Sequence, residues 1–254
     1  MSLKFQSRMV QMKTIQYALL STLLASSAVF AQVSSSDASS GSASVTASGW
    51  IDRGFDDGVA LFERAERVNG FKGFRGVLRV NAPMKTVLAL VLVRETFPKW
   101  VANMLEDSTL PDNNPDASLC YMWIKGVWPT DDRDVVCKVS VSQDPQSLAV
   151  SVVAQDTDPK LMPTVKGRVR MAKLYSGFTV RPISANLTEV QLDAIADPAG
   201  NVPTLAANMV AKGMPRDTLR ALAKLAETPS AVDLSALDSN KFASLAMKKI
   251  KLPS

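Results

Sequence analysis

The chain contains no histidine. That absence removes imidazole metal ligation, Ser-His-Asp and Cys-His relays, and the commonest general base near neutral pH. Cysteine is nearly as scarce: Cys120 and Cys137 are the only two, too few for a four-ligand zinc site. There is no Walker-type Gly-rich loop and no dinucleotide fingerprint after a strand, so neither phosphate-cradling nor nicotinamide chemistry has support. No metal and no cofactor is implied. The paired carboxylates Asp131/Asp132 and Asp156/Asp158 fall in turn-like stretches and read as solvated turn residues. No internal repeat is visible.

What is present begins with a leader. Lys4, Arg8 and Lys13 make a basic start, Tyr17–Phe30 is apolar with Ser and Thr admixed, and Val29-Phe30-Ala31 resembles a cleavage site. Residues 1–31 are therefore expected to be a signal peptide, with a periplasmic or secreted product after cleavage near Ala31. The apolar stretch is too short and too rich in Ser for a comfortable membrane span. Without those 31 residues the net charge falls from +5 to +2, so the basic pI is partly the leader's and gives no argument for nucleic acid. Residues 32–49 are almost entirely Ser, Ala, Gly, Val, Thr and Asp. Such a segment buries too little apolar area to offset its ordering entropy and reads as a flexible linker. Residues 50–229 then suffice for one domain with a core, followed by a tail, 230–254, with helical potential.

Within the domain, period-two alternation and turn chemistry predict strands over Gly58–Arg67, Phe71–Val80, Ser118–Lys125, Arg133–Val141, Leu148–Gln155, Gly167–Arg181 and Leu187–Ala196. A helix opens at Met84 after Pro83, and a second short one is expected near Glu95–Trp100. The polar stretch Asp107–Asp116 reads as a loop. Pro203 then precedes a long helical segment with stripes at Leu205, Met209 and Val210 and again at Leu219, Leu222 and Leu225. Gly213-Met214-Pro215 predicts a kink or break between them, and Pro215 is a candidate hinge. Two strands, a helical insertion, an antiparallel run and a final helix make an α+β domain. Its sheet face Cys120, Met122, Ile124, Val135, Cys137, Val139, Val141, Leu148, Val150, Val152, Ala154, Leu192, Ala194 and Ala196 should press on the last helix.

The turn joining the strands of Cys120 and Cys137 is centred near 128–129, so a symmetric hairpin places the two cysteines opposite or nearly so. Opposed Cβ atoms lie within reach of a disulfide, which is the expectation for an exported chain. A one-residue offset would leave two buried thiols instead.

The order Gly58-Val59, Glu63-Arg64, Phe74-Arg75-Gly76, Trp100, Trp128-Pro129, Arg133-Asp134-Val135-Val136 and Asp197-Pro198-Ala199-Gly200-Asn201-Val202-Pro203, with Asn208 in the helix beyond, resembles the START (steroidogenic-acute-regulatory-related lipid transfer) family in a bacterial-type exported form. The resemblance covers roughly residues 50–228. It implies a helix-grip fold, a curved antiparallel sheet wrapped around the long C-terminal helix, and non-enzymatic binding or transfer of a lipid or other hydrophobic ligand in an internal tunnel. Candidate tunnel-lining residues are Met122, Ile124, Val139, Val152, Met171, Leu205 and Met209. Arg170 is a candidate for a ligand head group, and Trp128 for the tunnel mouth or a membrane surface. A monomer with transient membrane contact is expected. Two other readings remain open: a small hydrolase or cyclase of the same broader superfamily, and an interaction domain with a filled core.

Overall fold

The structure, a computed structural model, describes residues 49–111, 117–126 and 130–253. Ten strands form one sheet: β1 (Trp50–Asp56), β2 (Val59–Val68), β3 (Phe71–Val80), β4 (Met104–Thr109), β5 (Ala117–Ile124), β6 (Asp132–Gln143), β7 (Val150–Asp156), β8 (Arg168–Arg170), β9 (Lys173–Ser184) and β10 (Leu187–Asp197). Their order is β1-β2-β3-β10-β9-β7-β6-β5-β4, antiparallel throughout, while β8 pairs in parallel with β6 off that path. The helices are α1 (Met84–Leu92), α2 (Thr204–Ala226), α3 (Ala236–Ser239) and α4 (Lys241–Met247). The α+β expectation, an antiparallel sheet against a long C-terminal helix, holds.

Alternation sorts the sheet as the sequence predicts. Cys120, Met122, Val135, Cys137, Val139, Val150, Val152, Ala154, Leu192 and Ala194 are buried on the inner face, whereas Ile124, Val141 and Ala196 are half-buried and Leu148 lies outside the strands at positive φ (57°). Helix α1 lies over that face, touching β9, β10 and α2. Its residues Met84 and Val87 to Leu92 are buried on every side, as an all-round apolar helix requires. Phe97 packs edge to face on Trp100 and Phe178 beside it, and those two rings are tilted against each other, with centroids 4.9–6.2 Å apart.

Helix α2 crosses β3, β10 and β2. It runs without a break through Gly213-Met214-Pro215, where the sequence predicts a kink or a break. Pro215 is buried, and Gly76 of β3 lies beneath it: a Cβ at Gly76 would come within 3.0 Å of the Pro215 Cβ and 2.9 Å of Leu219 Cδ1. The missing side chain on the strand is what lets the proline ring sit down. Gly76→Val should therefore cost about 1–3 kcal/mol by overpacking. Urea denaturation checks this, and an unchanged midpoint would show that α2 shifts freely at that point.

Three boundaries differ from expectation. Strand β1 is an addition; Gly54, at positive φ (+81°), sits within a register shift between Asp52 and Phe55 that breaks the alternation. Asp107 lies in β4, not in a loop, paired opposite Met122. The predicted long strand 167–181 divides into β8 and β9 at Met171-Ala172.

The chain end is built into the fold. Leu237, Ala243 and Ala246 are buried, and both α3 and α4 contact α1. Asn240 caps α4 by accepting from the Ala243 amide at 2.9 Å, and its Nδ2 donates to the Glu95 carboxylate at 3.0 Å. The Gln143 side chain donates to the Lys251 carbonyl and accepts from its amide, each at 2.8 Å. Among the described residues no helix is long and apolar enough to cross a membrane.

Candidate functional site

Helix α2 is docked in two regimes. From Pro215 onward it buries Pro215, Thr218, Leu219, Leu222, Ala223 and Ala226, while no residue from Thr204 to Met214 is buried. Leu205 and Met209 are 75% and 70% exposed. The first half is held by polar contacts at the sheet margin, where Asn208 Oδ1 accepts from the Lys72 amide at 2.9 Å. Arg133 at the start of β6 donates to the Asp131 carbonyl, and to those of Pro198 and Ala199 at 3.4 and 3.5 Å. It thus fastens the β10–α2 loop to the neighbouring β5–β6 connection.

Deeper on the inner face lies a polar cluster that sequence reasoning missed. Arg94, just beyond α1, and Asp107 of β4 form a buried ion pair. Arg94 Nε and Nη2 both donate to the carboxylate. Nη1 is the one buried side-chain nitrogen or oxygen among the described residues with no well-formed hydrogen bond, although the guanidinium also lies against the Cys120 thiol. An unpaired interior donor costs roughly 1–3 kcal/mol, so its persistence calls for a reason. The sequence signal was there: Arg94 directly follows the apolar run Val87–Val93.

Burial pushes the Asp107 carboxyl up to about 6, against the attraction of Arg94. For Arg94, burial acts downward and is outweighed by Cys120 and Asp107, so the guanidinium is held above its ordinary value. The carboxylate is therefore the partner that gives way. Folded Asp107 holds its proton more tightly than the unfolded chain, whose value is near 3.8. Its contribution to stability is fully present below pH 3.8 and is lost as the pH rises through about 6. Carbon-detected NMR titration should place its midpoint near 6; a midpoint below 4 would mean that ion pairing, not burial, controls it.

The expected disulfide is not formed. Cys120 and Cys137 stand directly opposite in register, yet both are free and buried. Opposition sets the Cβ spacing, but bonding also requires the sulfurs to meet at a dihedral near 90°. Here they form a thiol pair: hydrogen bonding to Cys137 lowers Cys120, with the nearby Arg94 charge assisting against burial, and the same bond raises Cys137.

The remaining predicted residues separate. Met122, Val139 and Val152 are buried on the inner face, while Ile124 and Met171 are half-buried. Leu205 and Met209 lie on the outward side of α2. Trp128 is outside the described residues. Arg170 pairs with Asp134 at 2.6 Å and donates to the carbonyls of Pro159, Met162 and Pro163, so its donors are committed to protein acceptors. Asp134 also accepts from Tyr121 Oη at 2.8 Å. Arg168 stacks on Trp123, 3.6 Å from the ring centroid. Together these side chains pin the β7–β9 connection to the outer face of the sheet. The two best-defined depressions hold about 50 Å³, between α4 and the end of β6, and about 10 Å³, beside Lys212. Among the described residues no group of three or more metal-ligating side chains is present.

Comparison with known proteins agrees with this architecture. The chain is 28% identical over 172 residues to an uncharacterized protein of Pseudomonas aeruginosa, covering 68% of this chain and 84% of that one. A crystal structure of the STAR-related lipid transfer protein from Xanthomonas axonopodis superposes with a TM-score of 0.61 at 24% identity, covering 69% of this chain and 97% of that one. Human StAR-related lipid transfer protein 5 gives 0.64 at 17% identity, covering 89% and 96%. The family model described as START domain matches residues 55–229, and with the sheet, the final helix and this match in hand, the chain belongs to the START family.

Proposed function

We propose that the protein is a non-enzymatic carrier that binds a lipid or similarly apolar molecule between the inner sheet face and α2. The observation that carries this reading is the two-regime docking of α2. The half from Pro215 onward is firmly packed and anchors the helix, while the half from Thr204 to Met214 has no buried residue. Lifting the Thr204–Met214 half forfeits little buried apolar area, so entry of a ligand there is inexpensive. Burial of each methylene supplies about 0.8 kcal/mol. Exposed Leu205, Met209 and Val210 give the carrier an apolar surface for transient contact with a bilayer. The protein works as a monomer, exported after cleavage near Ala31.

The test is native purification, organic extraction and mass spectrometry, followed by uptake of labelled lipid from vesicles. A stoichiometric apolar molecule or saturable uptake supports the carrier. One observation favours a rival, an interaction domain with a filled core: the depressions of about 50 and 10 Å³ are far below the roughly 300 Å³ of a typical ligand pocket. Absence of both extracted lipid and uptake decides for that rival. Amino-terminal sequencing of the mature protein tests export.

A further inference from the structure

Residues 230–254 lie beyond the START match, which ends at residue 229, yet they are built into the fold and add a surface of their own. We infer that the groove between α4 and the end of β6 is a docking site for a peptide segment that is acidic and carries one aliphatic anchor side chain. The inference does not depend on the carrier reading.

Three features select that partner. The first is shape. The groove holds about 50 Å³ and is walled by Val141 and Gln143 of β6 and by Phe242, Leu245, Lys249 and Ile250. One water occupies roughly 30 Å³ of liquid, so there is room for the tip of one aliphatic side chain and far too little for a lipid. The walls are fixed before any partner arrives. Gln143 grips the Lys251 backbone through two hydrogen bonds of 2.8 Å, and its Nε2 also donates to the Leu148 carbonyl at 3.0 Å. Phe242 and Ile250 pack on the core. A pre-formed pocket receives an anchor side chain at little ordering cost. The second is charge. From Lys241 to Ser254 the chain has four lysines and no acidic residue, and Lys241, Lys248, Lys249 and Lys251 are all exposed. Asp144, which follows Gln143, is engaged in its own turn, where it accepts from the Gln146 and Ser147 amides and the Ser147 hydroxyl. An acidic segment matches the positive excess. The third is what protrudes. A bilayer takes up apolar side chains that stand out from a surface. Phe242, Leu245 and Ile250 are instead half-buried, and among the described residues no exposed large apolar side chain lies between Lys241 and Pro253. Charge faces outward and the apolar wall is recessed, an arrangement that an inserted side chain can use and a flat membrane cannot.

The experiment uses the full mature chain and fluorescence anisotropy with three labelled heptapeptides: one with leucine at its centre and glutamate elsewhere, the same peptide with a central glycine, and the leucine peptide with lysine for every glutamate. The parent should bind the leucine peptide about fivefold or more tightly than the glycine peptide, and the lysine peptide weakest of all. Leu245→Ser strips the wall and leaves the charge, so it should bring the leucine and glycine peptides within about twofold of each other. Lys248→Glu/Lys249→Glu leaves the wall and should weaken both acidic peptides by about tenfold or more. Equal binding of the leucine and glycine peptides by the parent, an unchanged preference in the serine variant, or no effect of the charge reversal overturns the inference. If Leu245→Ser does not fold, amide spectra of the nitrogen-labelled parent decide: the leucine peptide should shift Gln143, Leu245 and Ile250 more than the glycine peptide does, and equal shifts overturn the inference. Binding to phosphatidylglycerol vesicles without binding of the leucine peptide overturns it in favour of a membrane surface, and binding of none of these probes overturns it outright.

Discussion

Replacing Asp107 by leucine is expected to destabilise the protein by about 3–5 kcal/mol, because it strands the Arg94 cation in the interior. An arginine cannot shed its proton to escape the low dielectric, and Arg94 is only 4% exposed. The reciprocal change, Arg94→Leu, should cost less. It strands a carboxyl group that burial has already pushed up to about 6, and that group can take a proton and enter the core neutral. Both changes together remove the charges and leave apolar volume, so the double variant should be less destabilised than Asp107→Leu alone. Urea unfolding of the three variants and parent at pH 7.5 measures the whole cycle. Equal costs for the two single changes would mean that the pair is solvated in solution, and the asymmetry argued here would fail.

The second large effect divides helix α2. Leu222→Ala should cost about 2–5 kcal/mol, since the side chain is fully buried and its loss leaves a cavity. The combined change Leu205→Ser/Met209→Ser should alter stability by no more than about 0.5 kcal/mol, because both side chains face solvent. Delivery of lipid between vesicles should nevertheless slow by about tenfold or more, because inserting two such side chains into a bilayer is worth roughly 1.5–3 kcal/mol each. Thermal melts and a vesicle transfer assay separate the two effects. Unchanged transfer by the serine variant would remove the outward face of α2 from any role at a membrane.

The sheet was legible where one face alone is buried. Strand β7 alternates cleanly and β10 does so as far as Ala194, with the predicted inner residues Val150, Val152, Leu192 and Ala194 buried, whereas β6 is buried on both faces from Arg133 to Cys137. Strand β1 was not, because Gly54 and the adjacent register shift destroy its period and most of its side chains are exposed. Asp107 was hidden by its neighbours: Glu106, Ser108 and Thr109 look like a loop but occupy an edge strand, where polar residues are tolerated on the open side. The continuity of α2 could not be read locally, since a proline within a helix usually breaks it. The contact that favours continuity, between Pro215 and Gly76, joins residues far apart in the chain. The cysteine register was legible, but the state of the sulfurs was not, because register fixes the Cβ spacing and leaves the side-chain dihedrals open. The half of the candidate site made of apolar residues followed from alternation. The ionic half required two elements, α1 and β4, whose proximity no local pattern encodes.

The neighbour relation between β3 and β10 also bears on how the protein is made. Val80 pairs with Thr188, and Phe74 with Ala194. During synthesis β3 is complete long before its partner exists, since about a hundred residues separate them. At about 5–20 residues per second the ribosome takes roughly 5–20 s to cover that distance. For that interval the nascent chain carries an unpaired strand edge bearing Phe74, Leu78 and Val80, a template for wrong pairing. Glycines at 73 and 76 and charges at Arg75 and Arg79 blunt that edge during the wait, so the residues that later seat α2 and bind Asp193 also keep the unfinished chain soluble.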